Sequence, residues 1–188
     1  GINSGAKTTN YGTSTSVKVE VSSSAARGML LRFENLFGPS SGQIPVGSTI
    51  TSATLRVSTV SDGSTAGPTS MHRMLTAWDQ SATWNSLATS GAGLQLNNIE
   101  ARATADASVT LTTTGGNATF SGSGLTQTVQ AWANGEPNHG WAFWHPLDDG
   151  WIIRTAEDAS LAKRPLLTVT YKAPVNTTTR SASSIQRL

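Results

Sequence analysis

The sequence contains no cysteine, and charged residues are few, at 13% of the chain. The absence of cysteine excludes disulfide frameworks, thiolate zinc sites and cysteine nucleophiles. The net charge of +2 is too small for the electrostatic footprint of a nucleic-acid-binding protein, although the pI is about 9.3. The sequence also lacks any apolar run of about 18 residues. We therefore expect neither nucleic acid nor a membrane as a partner.

Hydroxyl side chains take the place of the missing charges, with 24 Ser and 27 Thr residues. Because Thr favours strands and Ser favours turns, this composition is typical of a secreted β protein. Hydrophobic residues make up 37% of the chain, which is enough for one packed core. The chain begins with Gly1 rather than Met, which indicates a processed product or a fragment.

Alternation of apolar and polar residues predicts short β-strands along most of the chain. One helix is predicted at about residues 125–134, because Leu125, Val129 and Trp132 recur at helical spacing. We therefore predict an all-β fold, an antiparallel two-sheet sandwich of the jelly-roll type with one short helix, formed by residues 1–173 as a single domain. The predicted strands are residues 17–21, 28–33, 50–60, 71–76, 107–112, 141–145, 151–155 and 166–171.

The apolar positions of these elements predict the core of the sandwich. They comprise aliphatic residues on the inner faces of the strands and aromatic residues expected to anchor the packing. The residues expected to be largely buried are Leu31, Phe33, Leu55, Val57, Trp84, Trp132, Leu167 and Val169.

Four segments, in this order along the chain, resemble the DNRLRE domain, classed as carbohydrate-binding module family 96. They are TNYGTSTSVKV (9–19), GMLLRFENLFG to ITSATLRV (28–57), LTAWDQSATWN (75–85) and VQAWANGEPNHGWAFW to LLTVTY (129–171). The resemblance covers about residues 9–171 and implies an extracellular β-sandwich attached to a larger secreted or cell-surface protein. It implies no catalytic activity. Family members usually open with a short strand, and we expect this chain to begin too late to contain it.

Tryptophan is unusually frequent among the aromatic residues, with six Trp against two Tyr and four Phe. Flat apolar rings flanked by hydrogen-bond donors are suited to sugar rings. Trp78, Trp84 and Trp132 stand where the family also has Trp, and we expect all three in the core.

The other tryptophans are expected to form the candidate sugar-binding site. Trp141, Trp144 and Trp151 lie so close in sequence that we predict one hairpin, turning at residues 148–150. If Trp141 and Phe143 point into the core, Trp144 points outward. The alternative is that a loop or the tail covers Trp144. The predicted sugar-contacting residues are Trp144, Trp151, His145 and Arg154.

Acidic residues close to this hairpin offer a weaker alternative, a structural calcium site. Asp148 and Asp149 precede Gly150, the usual chemistry of a hairpin turn, and Asp158 follows shortly after. Calcium needs six to eight oxygen ligands from several loops, which is demanding for a chain with 11 acidic residues. We therefore expect no cofactor and no metal. No motif unites a nucleophile, a base and an orienting group, so we do not expect an enzyme.

Two functions remain. The first is a non-catalytic extracellular module that attaches its host to a polysaccharide or cell surface, and the slight positive charge favours an acidic polysaccharide. The alternative is a self-assembling subunit of an extracellular fibre or surface layer, formed by strand exchange through the termini. Residues 174–188 would form an extended C-terminal tail that docks on a sandwich, either its own or that of a neighbouring copy.

Overall fold

Ten β-strands and one α-helix lie within residues 1–61, 67–87 and 93–174, which are the residues described by a computed structural model of the chain. Two short 3-10 turns, Asn85–Leu87 and Leu161–Lys163, lie in the connections. The elements are β1 (Ile2–Asn3), β2 (Ser16–Val21), β3 (Ala26–Leu31), β4 (Thr49–Ser58), β5 (Pro68–Arg73), β6 (Ala107–Thr110), β7 (Asn117–Ser121), α1 (Ser123–Ala133), β8 (Trp141–Trp144), β9 (Trp151–Arg154) and β10 (Leu166–Lys172).

The strands form two sheets. The larger sheet has the order β6-β5-β8-β3-β2-β9, with β1 also paired to β3, and the smaller sheet has the order β10-β4-β7. Every paired strand runs antiparallel to its neighbour. The predicted all-β fold, with two antiparallel sheets and one short helix, is confirmed.

The core lies between the two sheets and is closed by α1. Phe120 of β7 meets Phe143 of β8 edge to face, with ring centroids 5.4 Å apart. Trp132 of α1 packs on Trp141, with centroids 4.6 Å apart. The helix packs mainly against β4 of the smaller sheet, and Trp132 reaches from it to Trp141 of the larger one. The buried face of the helix carries Leu125, the first residue of its predicted apolar stripe.

Most of the predicted core is confirmed. Leu31, Leu55, Val57, Trp84 and Trp132 are buried. The other three predicted residues are only partly buried and pack at the margin of the core. Two of them lie on β10, an edge strand that pairs with β4 along one edge only. The third follows the end of β3. These three are Leu167, Val169 and Phe33.

The predicted hairpin of residues 141–155 is wrong. Strand β8 pairs with β5 and β3, whereas β9 pairs with β2, so two strands lie between β8 and β9. Residues 145–150 are therefore a crossover at the end of the sheet, where the backbone N–H of Val21 donates to the carbonyl of Leu147. A Cβ at Gly150 would lie 1.9 Å from the carbonyl oxygen of Val19, so only glycine allows this close approach to β2.

A second, smaller cluster covers the outer face of the larger sheet. Strand β8 is apolar on both faces: Phe143 points into the main core, and Ala142 points outward into this second cluster. Segments between β5 and β6 supply most of its buried side chains. The buried members are Ile2, Met74, Trp84, Leu87, Leu94, Ala101 and Ala142.

The predicted tail lies almost entirely outside the described residues. Of residues 174–188, the structure describes only residue 174, so the extended tail stays a prediction. Among the described residues, no helix is long and apolar enough to cross a membrane.

Truncating Trp132 tests the packing of this side chain on Trp141 of the larger sheet. Trp132→Ala should lower the free energy of unfolding by about 3–5 kcal/mol, because the change removes a buried aromatic ring. Trp132→Phe is the control and should cost less. It keeps most of the packing and removes an indole N–H that has no hydrogen-bond partner in the described part of the chain. Urea unfolding measures both, and an unchanged midpoint for Trp132→Ala would contradict the packing role.

Candidate functional site

Two of the four predicted sugar-contacting residues are buried. Trp151 has an exposed fraction of 0% and packs against Phe120, with ring centroids 6.4 Å apart. His145 has an exposed fraction of 1%, and its Nδ1 lies 2.9 Å from the hydroxyl of Thr69. Burial removes both side chains from any surface that a polysaccharide can reach, which corrects the predicted set.

The other two predicted residues are partly exposed but lie far apart. Trp144 packs at the edge of the second cluster, and Arg154 pairs with the carboxylate of Asp158 at 2.6 Å. Strands β8 and β9 are separated by three steps in the larger sheet. Each step is about 4.8 Å, so the two strands are about 14 Å apart. The four predicted residues do not form one site.

The three aspartates of the calcium alternative are not brought together either. Asp148 and Asp149 precede β9, whereas Asp158 follows it. Hydrogen bonds from the Ser160 backbone N–H and from Arg154 lower the pKa of Asp158. Among residues 1–61, 67–87 and 93–174, no three His, Cys, Asp or Glu side chains lie close enough together to hold a metal ion.

An open groove with an aromatic wall lies elsewhere, across β3 of the larger sheet. Its volume is about 330 Å³, within the range of small-molecule sites. Residues 29–31 of β3 line part of it. We call it the Trp78 groove, and the side chains that define it are Tyr11, Arg32, Glu34, Trp78, Gln80 and Glu157.

Trp78 is held in place from two sides. Its indole N–H donates to the carbonyl of His139 at 2.7 Å, and the Arg32 guanidinium lies 5.3 Å from its ring centroid. Arg32 also donates to the carbonyl of Trp78 at 2.9 Å and to Glu34 at 2.5 Å. The ring is only partly buried. Its contacts fix its orientation, as a stacking surface requires.

Another part of the groove lining is built by a loop-to-loop contact. The side-chain amide of Gln80 donates to the carbonyl of Gly12 at 3.1 Å and to Glu157 at 3.2 Å. A Cβ at Gly12 would lie 2.1 Å from the carbonyl oxygen of Gln80, so the two loops meet closely only because residue 12 is glycine. Asn10 reinforces the contact by donating to the same carbonyl at 2.8 Å.

The groove offers both hydrogen-bond donors and acceptors beside an aromatic ring. Arg32 and the Gln80 amide donate, and Glu34 and Glu157 accept. Sugar hydroxyls both donate and accept, so this set matches a sugar unit. The two carboxylates outnumber the one guanidinium, which makes the lining slightly acidic.

A comparison with known families gives the class of this chain. The model of carbohydrate-binding module family 96 matches residues 2–171. The chain belongs to this family. The resemblance inferred from four sequence segments is thus confirmed, and family 96 membership makes the chain a module of the carbohydrate-binding type, a class that is non-catalytic. No curated protein matches the chain.

Sequence reasoning assigned Trp78 to the core and missed the other residues of the groove. Four separate segments contribute them, and no spacing in the sequence connects Arg32 with Gln80 or Glu157. One usable signal was present. Trp78 is followed by Asp79-Gln80-Ser81, a polar turn in which Asp79 accepts hydrogen bonds from Ser81, and a tryptophan beside such a turn lies near the surface.

The buried histidines predict how stability depends on pH. Burial lowers the pKa of His72 and of His145. Both stay neutral in the folded protein at pH values where the unfolded chain takes up protons, with an ordinary pKa of about 6.5. The free energy of unfolding should therefore fall as the pH drops below about 6.5, by up to about 1.4 kcal/mol per pH unit for each histidine.

Urea unfolding between about pH 7 and pH 5 measures this slope for the wild type and for His145→Gln. The glutamine keeps a polar group beside Thr69 but does not titrate, so the variant should show a shallower slope. An unchanged slope would show that His145 does not contribute to the pH dependence.

Proposed function

We propose that this protein is a non-catalytic extracellular module that attaches its host to a polysaccharide, and that the Trp78 groove holds the sugar. The observation that carries the proposal is the fixed, partly exposed ring of Trp78 in a groove lined by donors and acceptors. Membership of carbohydrate-binding module family 96 supports the class of ligand. Such a module retains its host at a surface and performs no chemistry itself.

The charges of the groove favour neutral sugar units. Glu34 is exposed and Glu157 is exposed, so both carboxylates face solvent at the rim. A uronate bound between them would be repelled, and Arg32 is already paired with Glu34. The groove therefore supports a neutral polysaccharide better than the acidic one expected from the net charge, and the acidic ligand stays a prediction.

Truncating the ring tests the groove. Trp78→Ala should weaken binding to a neutral polysaccharide by about tenfold or more, because it removes the stacking surface. Affinity gel electrophoresis against a β-glucan, a mannan and a xylan measures the retardation of each variant. Trp144→Ala removes an equal ring outside the groove and should bind like the wild type.

Gln80→Ala provides a second test that is less demanding for the fold, since this side chain is exposed. It should also weaken binding, because the amide that bridges Gly12 and Glu157 is lost. Melting temperatures of all variants separate lost binding from lost structure. If none of the three polymers retards the wild type, or if both variants bind like it, the groove is not the sugar site.

The fibre alternative is favoured by one observation, the free edge of β10. This strand pairs with β4, and no other strand of the described chain covers its outer edge. Leu166 and Tyr171 are exposed there, at 50% and 40%. An unpaired edge of this kind accepts a strand from another molecule.

Deletion of residues 174–188 tests that alternative. If the tail adds to the sandwich of a neighbouring copy, the full chain should form polymers in sedimentation velocity and the shortened chain should stay monomeric. The circular dichroism spectrum should be the same for both. Polymers of equal size with and without the tail, or monomers in both cases, would rule out assembly through the tail.

A further inference from the structure

A second open site lies where the two sheets join. Just beyond β4, the backbone N–H of Val60 donates to the carbonyl of Ile152 in β9 at 2.9 Å, and Thr59 bridges to Ile153. This junction borders a cleft of about 500 Å³. We call it the basic cleft, and the side chains that define it are Arg56, Ser58, Asn117, Arg154, Ala162 and Lys163.

Arg56 is held in the basic cleft without being neutralised. Its guanidinium donates to the side-chain oxygen of Asn117 at 3.2 Å and to the carbonyl of Ala162 at 3.1 Å. Both acceptors are uncharged, so the positive charge is fixed in position and remains available to an anion. Arginine bound in this way loses little side-chain entropy when a further ligand arrives.

Two more cations reach the cleft from different elements. Arg154, at the end of β9, is partly compensated by its ion pair with Asp158 at 2.6 Å. Lys163, in the 3-10 turn Leu161–Lys163, is exposed and has no ion pair among the described residues. Asp158 is not among the lining residues, and within the described chain the lining contains no acidic side chain.

The remaining wall supplies hydroxyl and amide groups. The side-chain oxygen of Asn117 accepts from both Arg56 and Ser58, the latter at 2.8 Å. Its side-chain N–H groups therefore point to the other side of the amide. The turn at Gly115 has a φ of 95° and approaches Ser61 so closely that a Cβ would lie 2.8 Å from the Ser61 Cβ. Glycine thus shapes the rim of the cleft.

We propose that the basic cleft binds a sulfate ester group of a polysaccharide. Cations from three elements suit a group with three outward oxygen atoms, which a sulfate ester has and a planar carboxylate lacks. No aromatic residue lines the cleft within the described chain, so the stacking that single-stranded nucleic acids use is missing. The site goes beyond the Trp78 groove, which has the opposite charge balance.

The two sites are connected along the chain. Arg154 lines the basic cleft, residues 155–157 line the Trp78 groove, and residues 162–163 return to the cleft. The end of β9 and the segment after it therefore separate the two sites. No described residue lines both sites, so each can be changed without substituting a residue of the other.

The test uses affinity gel electrophoresis of the full chain in dextran sulfate and in uncharged dextran. Lys163→Ala and Arg56→Gln should each lower the affinity for dextran sulfate, measured from the retardation, about tenfold. This is the loss expected when one charge-assisted hydrogen bond is removed. The salt dependence of binding should decrease in both. Lys172→Ala is the matched control, because it removes an exposed positive charge from β10 outside the cleft.

The possible outcomes distinguish a sulfate ester from other anionic groups, and the basic cleft from the Trp78 groove. Retardation by dextran sulfate that depends on Lys163 and Arg56 but not on Trp78 supports the proposal. The proposal is overturned if Lys172→Ala has the same effect as Lys163→Ala, which would indicate non-specific charge attraction. It is also overturned if a polyuronate or a polyphosphate binds through Lys163 and Arg56 more tightly than dextran sulfate. Lys163→Ala changes an exposed side chain, so its melting temperature should equal that of the wild type.

Discussion

The side chains of Ala53, Leu55 and Val57 fill the space between the two sheets, and the backbone just beyond them, at Thr59 and Val60, bonds to β9 of the larger sheet. Strand β4 thus serves as the centre of the small sheet and as the link to the large one. The main core, the position of β10 and the basic cleft all depend on this double attachment. A register shift in β4 by one residue would turn its buried side chains outward and separate the sheets.

The sequence predicted which residues form strands and the helix better than it predicted which strands pair with each other. Alternation revealed most strands and the helical spacing revealed α1, because both patterns record which side of an element is buried. The two-residue β1 is too short to be recognised, whereas β7 alternates strictly, with Ala118 and Phe120 buried, and was missed because it is short and follows a run of Thr and Gly. The predicted hairpin failed because Asp148-Asp149-Gly150 describes only a local turn. Whether β8 and β9 pair depends on β3 and β2, which already occupy the positions between them.

The candidate sites were less predictable than the fold. Tyr11, Arg32, Trp78 and Glu157 come from four distant segments, and only the packing of loops brings them to one groove. The polar turn that follows Trp78 is the one sequence signal of its partial exposure. Trp141 and Phe143 lie in the main core and Trp144 lies on the outer face, partly exposed, so its direction agrees with the sequence argument and its role as a sugar contact stays a prediction. The run Trp141-Ala142-Phe143-Trp144 has no polar alternation, and such a run indicates a strand covered on both faces.

The crossover of residues 145–150 has a consequence for how the chain reaches this structure. Strand β2, near the start of the chain, bonds along its length to β9, which is made almost at the end of the domain. Most pairings in the larger sheet likewise join segments that are remote in sequence, and β2–β3 is its one short hairpin within the described chain. Such a topology folds slowly, because long loops must close before their contacts form. During synthesis the edge of β2 therefore stays open until the last strands arrive, and until then this edge is exposed to pairing with other chains.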